Sequence, residues 1–193
     1  LPTRVIDCSL VGETGTIRLV EPNGASGSWV ALSHCWGKPD KRPLATTRCN
    51  MSRHMKGIRL TALPKTFRDA ITVTRALGIQ YLWIDSLCII QGDLEDWREE
   101  SAKMGNVYQH AAVTIAASYA KDSSEGCFSE DACLDYAQWP VEKSSDEMTE
   151  ICVRENLHLL HHEPLFKRAW VMQEWALSRR TLIFLKDTMV WSC

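Results

Sequence analysis

The sequence lacks the patterns typical of membrane, secreted and small metal-bound proteins. No apolar run approaches the length that crosses a bilayer, and the first residues show no basic-then-apolar signal pattern. Its eight cysteines form no C-x-x-C pair, and His110, His161 and His162 have no companions at the spacing of zinc ligands. We therefore expect a soluble, cytoplasmic chain with reduced thiols, no membrane partner and no metal ion.

A strong net charge of either sign is also missing. The formal net charge of -2 argues against a nucleic-acid partner, although the charge is uneven along the chain. Ten Lys and Arg face two acids between Lys38 and Arg75, and nine acids face two lysines between Lys121 and Glu150. The acidic run indicates an exposed loop. The basic run fits either phosphate binding or plain solubility, and no glycine-rich phosphate loop accompanies it.

Size and composition indicate one domain. The 193 residues are 45% hydrophobic and include eight tryptophans, enough for a single sizeable core, so we expect one domain over 1–193. Because the sequence starts at Leu1 and stops at Cys193, just after a strand-like run, we expect it to be one domain of a longer protein. No internal repeat is visible.

The hydrophobic periodicity predicts helices alternating with strands, and so an α/β fold with a mostly parallel central sheet. One predicted helix begins at Pro64 and ends at Gly78, a second is capped by Asp93, and a third covers 166–177. The segment 16–36 contains additional amino-terminal strands, which form a hairpin or neighbouring strands. The segment 119–160 has no sustained period, and we interpret it as an insertion. The predicted strands are 16–20, 29–33, 81–85, 112–117, 181–185 and 188–191.

The third helix carries a glutamate that the pattern places inside the protein. Its spacing puts Glu174 on one stripe with Phe166, Trp170 and Leu177, on the face that a helix normally buries. A buried carboxylate is either paired with a cation or used in chemistry, and the nearby arginines are Arg168, Arg179 and Arg180. The sequence leaves both interpretations open.

Other candidate residues also have two interpretations. Asp85 lies at the carboxyl end of a predicted strand, where α/β sheets bind ligands, or it caps the following turn. Glu100, near an apolar stripe, is a possible second acid or a surface brace. Trp36 and Trp170 are stacking platforms or core residues, whereas we expect Trp83 and Trp97 in the core. A pairing of Cys88 with His34 in a thiol protease is disfavoured, since its apolar context indicates an inert thiol.

Four long motifs are spread along the sequence. They are WVALSHCWG at 29–37, YLWIDSLCIIQ at 81–91, DWREE at 96–100 followed by Tyr108 and His110, and RAWVMQE at 168–174. Together, and in this order, they resemble the fungal heterokaryon incompatibility (HET) domain family over nearly the whole chain. HET domains trigger cell death when fungal individuals of different genotype fuse, so the resemblance implies a cell-death effector.

HET domains are in turn similar to TIR domains, many of which cleave the glycosidic bond of NAD. Trp170 and Glu174 have the spacing of the TIR pattern Trp-Cys-x-x-Glu, with Val171 in place of the cysteine. Segments 31–33 and 77–85 resemble the first two TIR strands. The resemblance implies a TIR-like, flavodoxin-like fold. The cysteine replacement, the insertion and the extra amino-terminal strands depart from the TIR pattern.

The resemblance also implies a set of site residues. Glu174 would be the nucleophile or electrostatic stabiliser, Gln173 or Ser33 would hold ribose hydroxyls, and Trp36 and Trp170 would stack on the bases. Asp85 would contribute to substrate binding, and the basic loop at 38–59 would supply cations for the diphosphate. NAD, or a related nucleotide, would be the substrate, with no cofactor. Self-association or a partner would activate the chain. The alternative is a non-catalytic, self-assembling module for death signalling.

Overall fold

A computed structural model describes residues 1–129, 137–142, 148–153, 163–168 and 170–193. Within these residues, eight strands form one sheet and two more form a separate hairpin. The strands of the large sheet are β1 (Val5–Asp7), β2 (Thr16–Val20), β3 (Trp29–Ser33), β4 (Ile58–Arg59), β5 (Tyr81–Ile84), β6 (Val113–Ala117), β9 (Thr181–Phe184) and β10 (Met189–Ser192), and the hairpin consists of β7 (Ala137–Glu142) and β8 (Met148–Val153).

Helices connect the strands of the large sheet. The two longest are α3 (Lys65–Ala76), which follows Pro64, and α5 (Leu94–His110), whose first turn is capped by the Asp93 carboxylate. Shorter helices are α1 (Val11–Thr14), α2 (Met51–Lys56), α4 (Asp85–Cys88) and α6 (Val171–Leu177). Short 3₁₀ turns cover Pro39–Lys41, Leu60–Ala62 and Leu165–Lys167. No helix in the described part of the chain combines the length and the apolar character needed to cross a membrane.

The centre of the large sheet is parallel. The strand order is β10-β9-β6-β3-β5-β1-β2-β4, and β5, β3, β6 and β9 run parallel to one another. The chain passes from β3 to β5 on one side, and then across to β6 on the other. Such a reversal of strand order opens a crevice beyond the carboxyl ends of the strands, where α/β proteins bind ligands. The predicted α/β class and mostly parallel centre are confirmed.

The core lies on both faces of the parallel strands. Strand β6 is buried throughout, and β3 and β5 are buried except at their first residue. Trp83 packs edge-to-face on Tyr108 with ring centroids 5.7 Å apart, and both side chains are fully buried. Burial of one such large apolar side chain contributes about 1.5–3 kcal/mol. The prediction that Trp83 belongs to the core is confirmed.

Three local predictions are wrong. Strands β2 and β3 are not neighbours, since β5 and β1 lie between them and the apolar β5 pairs directly with β3. The third helix begins at Val171 instead of Phe166, because Arg168 has an extended backbone with ψ of 139° after the 3₁₀ turn. The basic stretch expected to be loop contains helix α2 and strand β4.

The predicted insertion at 119–160 is described only in part. Its first residues pack against α3, where the amide of Thr66 donates to the Ser123 carbonyl and that of Cys127 donates to the Asp69 carboxylate. Asp122 and Ser123 are buried, so at these two positions the expectation of an exposed loop is wrong. Strands β7 and β8 pair antiparallel. The remainder of the predicted insertion falls outside the described residues.

Candidate functional site

A cavity of about 200 Å³ opens at the carboxyl edge of the parallel strands. Because β3 and β5 run parallel, Ser33, the last residue of β3, and Asp85, the residue after β5, lie at the same edge. Helices α5 and α6 pack against each other and close the cavity from the other side. Its lining consists of Trp36, Asp85, Ile89, Gln91, Trp97, Ser101, Met104, Arg168, Trp170 and Glu174.

Glu174 is the more deeply buried of the two carboxylates that line this cavity. It is 2% exposed, and its Oε2 atom accepts a short hydrogen bond from the Ser33 hydroxyl. Burial raises its pKa above the ordinary value, while the charge of Arg168 and the Ser33 hydrogen bond only partly oppose this effect. No described cation forms an ion pair with Glu174, so its direct partner is a hydroxyl rather than one of the three arginines considered from the sequence. The predicted burial of Glu174 is confirmed.

The face of α6 that carries Glu174 differs from the predicted stripe. Val171 and Glu174 are the buried residues of this helix, whereas Trp170 is 52% exposed and Leu177 also faces solvent. Because α6 is only seven residues long and lies over one end of the sheet, a single narrow side of it contacts the core. Gln173 is exposed and lies beside Gly105 of α5, outside the cavity lining.

Asp85 bonds to the turn that follows β5, which is one of the two roles considered for it. Its carboxylate accepts from the backbone amide of Ser86 at 2.6 Å, from His34 Nε2 at 3.1 Å and from Trp36 Nε1 at 2.8 Å, and it also lines the cavity. Burial raises its pKa, but His34, Arg168 and the Trp36 hydrogen bond outweigh burial, and the net pKa is lowered. Asp85 is therefore an ionised group that fixes the position of the Trp36 ring.

Arg168 is the one guanidinium among the cavity-lining residues. Its Nη1 donates to the backbone carbonyl of His34, which ties the segment before α6 to the end of β3. Its positive charge acts to lower the pKa of both carboxyls, although burial leaves the net pKa of Glu174 raised. The basic run at 38–75 contributes no residue to the lining; Lys41 pairs with Asp122 at 3.3 Å, and Arg48 pairs with Asp93. The extended backbone at Arg168 could not be predicted from the sequence, because no periodic pattern marks it.

The remaining candidates lie away from this cavity or differ from expectation. Glu100 is 3% exposed and bonds to Lys103 Nζ at 2.9 Å, outside the lining. Trp97 is 47% exposed at the cavity, so its predicted place in the core is wrong. Cys88 is fully buried, and burial raises its pKa to about 12, which fits an inert thiol. Within the described ranges, no group of His, Cys, Asp or Glu is arranged to hold a metal ion.

The fold and site define an α/β domain with a buried glutamate at the carboxyl edge of its parallel strands. Residues 29–174 match the family described as heterokaryon incompatibility protein (HET), and the chain therefore belongs to that family. The match extends from β3 to α6 and so includes both sides of the cavity. No curated protein and no solved structure gave a significant match. Membership indicates a function in heterokaryon incompatibility and the associated cell death.

Proposed function

We propose that this HET domain hydrolyses the bond between nicotinamide and ribose in NAD, as a TIR-like glycohydrolase. The main support is the position of Glu174, a desolvated carboxylate in a cavity at the carboxyl edge of the sheet. Buried acids with perturbed pKa values are concentrated at active sites. Loss of NAD would then be the route to cell death.

The chemistry needs little beyond one well-placed carboxylate. Nicotinamide leaves with the electron pair of the glycosidic bond and becomes neutral, so protonation of the leaving group is unnecessary. Positive charge develops on the ribosyl carbon, where an ionised Glu174 would stabilise it or add to it, and water completes the hydrolysis. Ser33 holds the Glu174 carboxylate by its hydrogen bond. Trp36 and Trp170 offer rings for stacking on the substrate.

The sheet supports the same proposal. The order β5-β3-β6-β9 corresponds to the flavodoxin-like order 2-1-3-4, numbered from β3. A TIR-like domain would have this order, and its ligand would sit where Glu174, Asp85 and Trp36 converge. Gln173 and Ser33 both lie outside the cavity lining, and the Ser33 hydroxyl donates to Glu174, so neither is supported as the contact with ribose hydroxyls.

The direct test is nicotinamide release from NAD by the concentrated domain, compared with Glu174→Gln. Glutamine keeps an oxygen that can accept from Ser33 but cannot carry the charge, so we expect a loss of about a thousandfold or more in kcat with the fold retained. Glu100→Gln is the matched control, because Glu100 is an equally buried acid outside the cavity. Equal rates in the wild type and Glu174→Gln would rule out this role for Glu174.

We also propose activation by self-association, for which α6 offers a surface. Met172 is 60% exposed, and Trp175, three residues on and so on the same side of the helix, is 38% exposed. Exposed apolar side chains that lie next to one another are typical of interaction surfaces. The same surface is the observation that favours the second candidate function, a non-catalytic assembly module.

Light scattering coupled to size-exclusion chromatography separates these two functions. For either function we expect association that Met172→Glu weakens. Only the enzyme hypothesis expects nicotinamide release to fall together with association. An association-defective variant that retains full NAD cleavage would contradict activation by assembly. A chain that associates and kills without any NAD cleavage would favour the module.

A further inference from the structure

Two kinds of side chain in the lining of the cavity at Glu174 attract organic cations. Three tryptophans line it, Trp36, Trp97 and Trp170, together with the carboxylates of Glu174 and Asp85. Tryptophan is the aromatic side chain that binds cations best through its ring face, and aromatic cages recognise cations that have no N–H to donate. The rings of Trp97 and Trp170 are about half exposed at the cavity, although large apolar surface is normally covered.

The charges of the lining favour a cation over an anion. Two carboxylates face one guanidinium, Arg168, so the ionised lining has a formal balance of -1. Arg168 already donates to the His34 carbonyl. Glu174 is almost completely buried, and beyond the Ser33 hydrogen bond at Oε2 no described residue donates to its carboxylate. The other oxygen, Oε1, is therefore open to a ligand.

Asp85 and Trp36 act as one unit in this cavity. The indole N–H of Trp36 donates to Asp85 Oδ2 at 2.8 Å, which fixes the ring and places a negative charge at its edge. An anion at the N–H edge raises the electron density of the indole and so strengthens its attraction for a cation. The remaining donors to Asp85, from Ser86 and His34, keep this carboxylate in place beside the ring.

We propose that Asp85 and the tryptophan rings form a binding site for a flat pyridinium cation, which makes the cavity selective for oxidised over reduced nicotinamide. The identity of the cation rests on the proposed function. A volume of about 200 Å³ is below the range of pockets that enclose a drug-sized ligand, and suits one ring with its sugar. The remainder of a dinucleotide would extend out of the cavity. The reduced ring is neutral, so it would lose the attraction of both the carboxylates and the indoles.

The test compares two ligands that differ by one hydride, the 1-methylnicotinamide cation, methylated on the ring nitrogen, and its neutral 1,4-dihydro form. Saturation-transfer NMR at mildly alkaline pH measures their binding to the whole chain, without any need for catalysis. We expect the cation to bind about tenfold more tightly or better. In Asp85→Asn this preference should fall below about threefold, whereas Glu100→Gln should keep it. Circular dichroism checks the fold of each variant.

Three results of this comparison would overturn the proposed cation site in whole or in part. Equal affinity for the two forms, or binding of neither by the wild-type chain, overturns the proposal even if Asp85→Asn does not fold. A preference unchanged in a folded Asp85→Asn overturns the assignment to Asp85. Tighter binding of tetramethylammonium would mean an aliphatic quaternary ammonium site and overturn the choice of a flat ring.

These outcomes are separate from those of the proposed function. A chain that prefers the cation but releases no nicotinamide from NAD retains this cation site and loses the proposed reaction. A chain that cleaves NAD while binding both methylated rings equally retains the reaction and loses the cation site.

Discussion

Replacing Ser33 by alanine should change the ionisation of Glu174 in a way that can be worked out from one hydrogen bond. The Ser33 hydroxyl donates to a carboxylate that has no other described donor. A hydrogen bond to a charged group contributes about 1.5–3 kcal/mol, and one between neutral groups about 0.5–1.5 kcal/mol. The hydroxyl therefore favours the ionised over the protonated carboxyl by about 1–1.5 kcal/mol. Ser33→Ala should therefore raise the pKa of Glu174 further, because the hydrogen bond that favours the ionised form is lost.

The same change predicts how stability depends on pH. Burial already raises the pKa of Glu174 above its ordinary value of 4.5, so the folded protein holds this proton more tightly than the unfolded chain. The stability from this group is fully present below 4.5 and is lost as pH rises through the folded pKa. Because Ser33→Ala raises the folded pKa of Glu174 further, this variant should lose more of that stability as pH rises. The difference in free energy of unfolding between the two proteins should be smallest in acid and should grow by about 1–1.5 kcal/mol with increasing pH.

Urea unfolding across a pH series measures this difference without reference to activity. Ser118→Ala is the matched control, because Ser118 is a fully buried serine after β6 whose hydroxyl has no partner among the described residues. It should show no such pH dependence. If Ser33→Ala and the wild type differ by the same free energy at every pH, the hydrogen bond does not favour the ionised carboxylate, and the reasoning on Glu174 is wrong.

Two further predictions concern the groups around the cavity. Arg168→Met removes a charge that lowers the pKa of Glu174, so the acid limb of the pH–rate profile for nicotinamide release should move to higher pH; exposed Arg180→Met should leave that limb in place. Gly37→Ala should destabilise the fold by at least about 1–2 kcal/mol in urea unfolding, because φ is 75° there. A Cβ at this position would also lie 2.6 Å from the Cβ of Asp122. An unchanged midpoint would show that the turn after β3 relaxes freely.

The sequence by itself determined the alternation of helices and strands, because buried strands and amphipathic helices leave periods that are local in the chain. It also determined that Glu174 is buried and that Asp85 follows a central strand, since both depend on position within one element. The family followed from long motifs that are visible without any structure.

Only the tertiary structure decided which groups act together. Ser33 is 141 residues away from Glu174, and no local pattern indicates that this hydroxyl, rather than an arginine, would reach the carboxylate. The periodicity extended α6 backwards through Arg168, whose extended backbone depends on a contact with His34 at the end of β3. Trp97 matched an apolar stripe, yet it lies at a cavity that forms only when α5, α6 and the sheet edge meet. Such contacts arise from the packing of elements distant in sequence, so the geometry of the site emerges only in the folded chain.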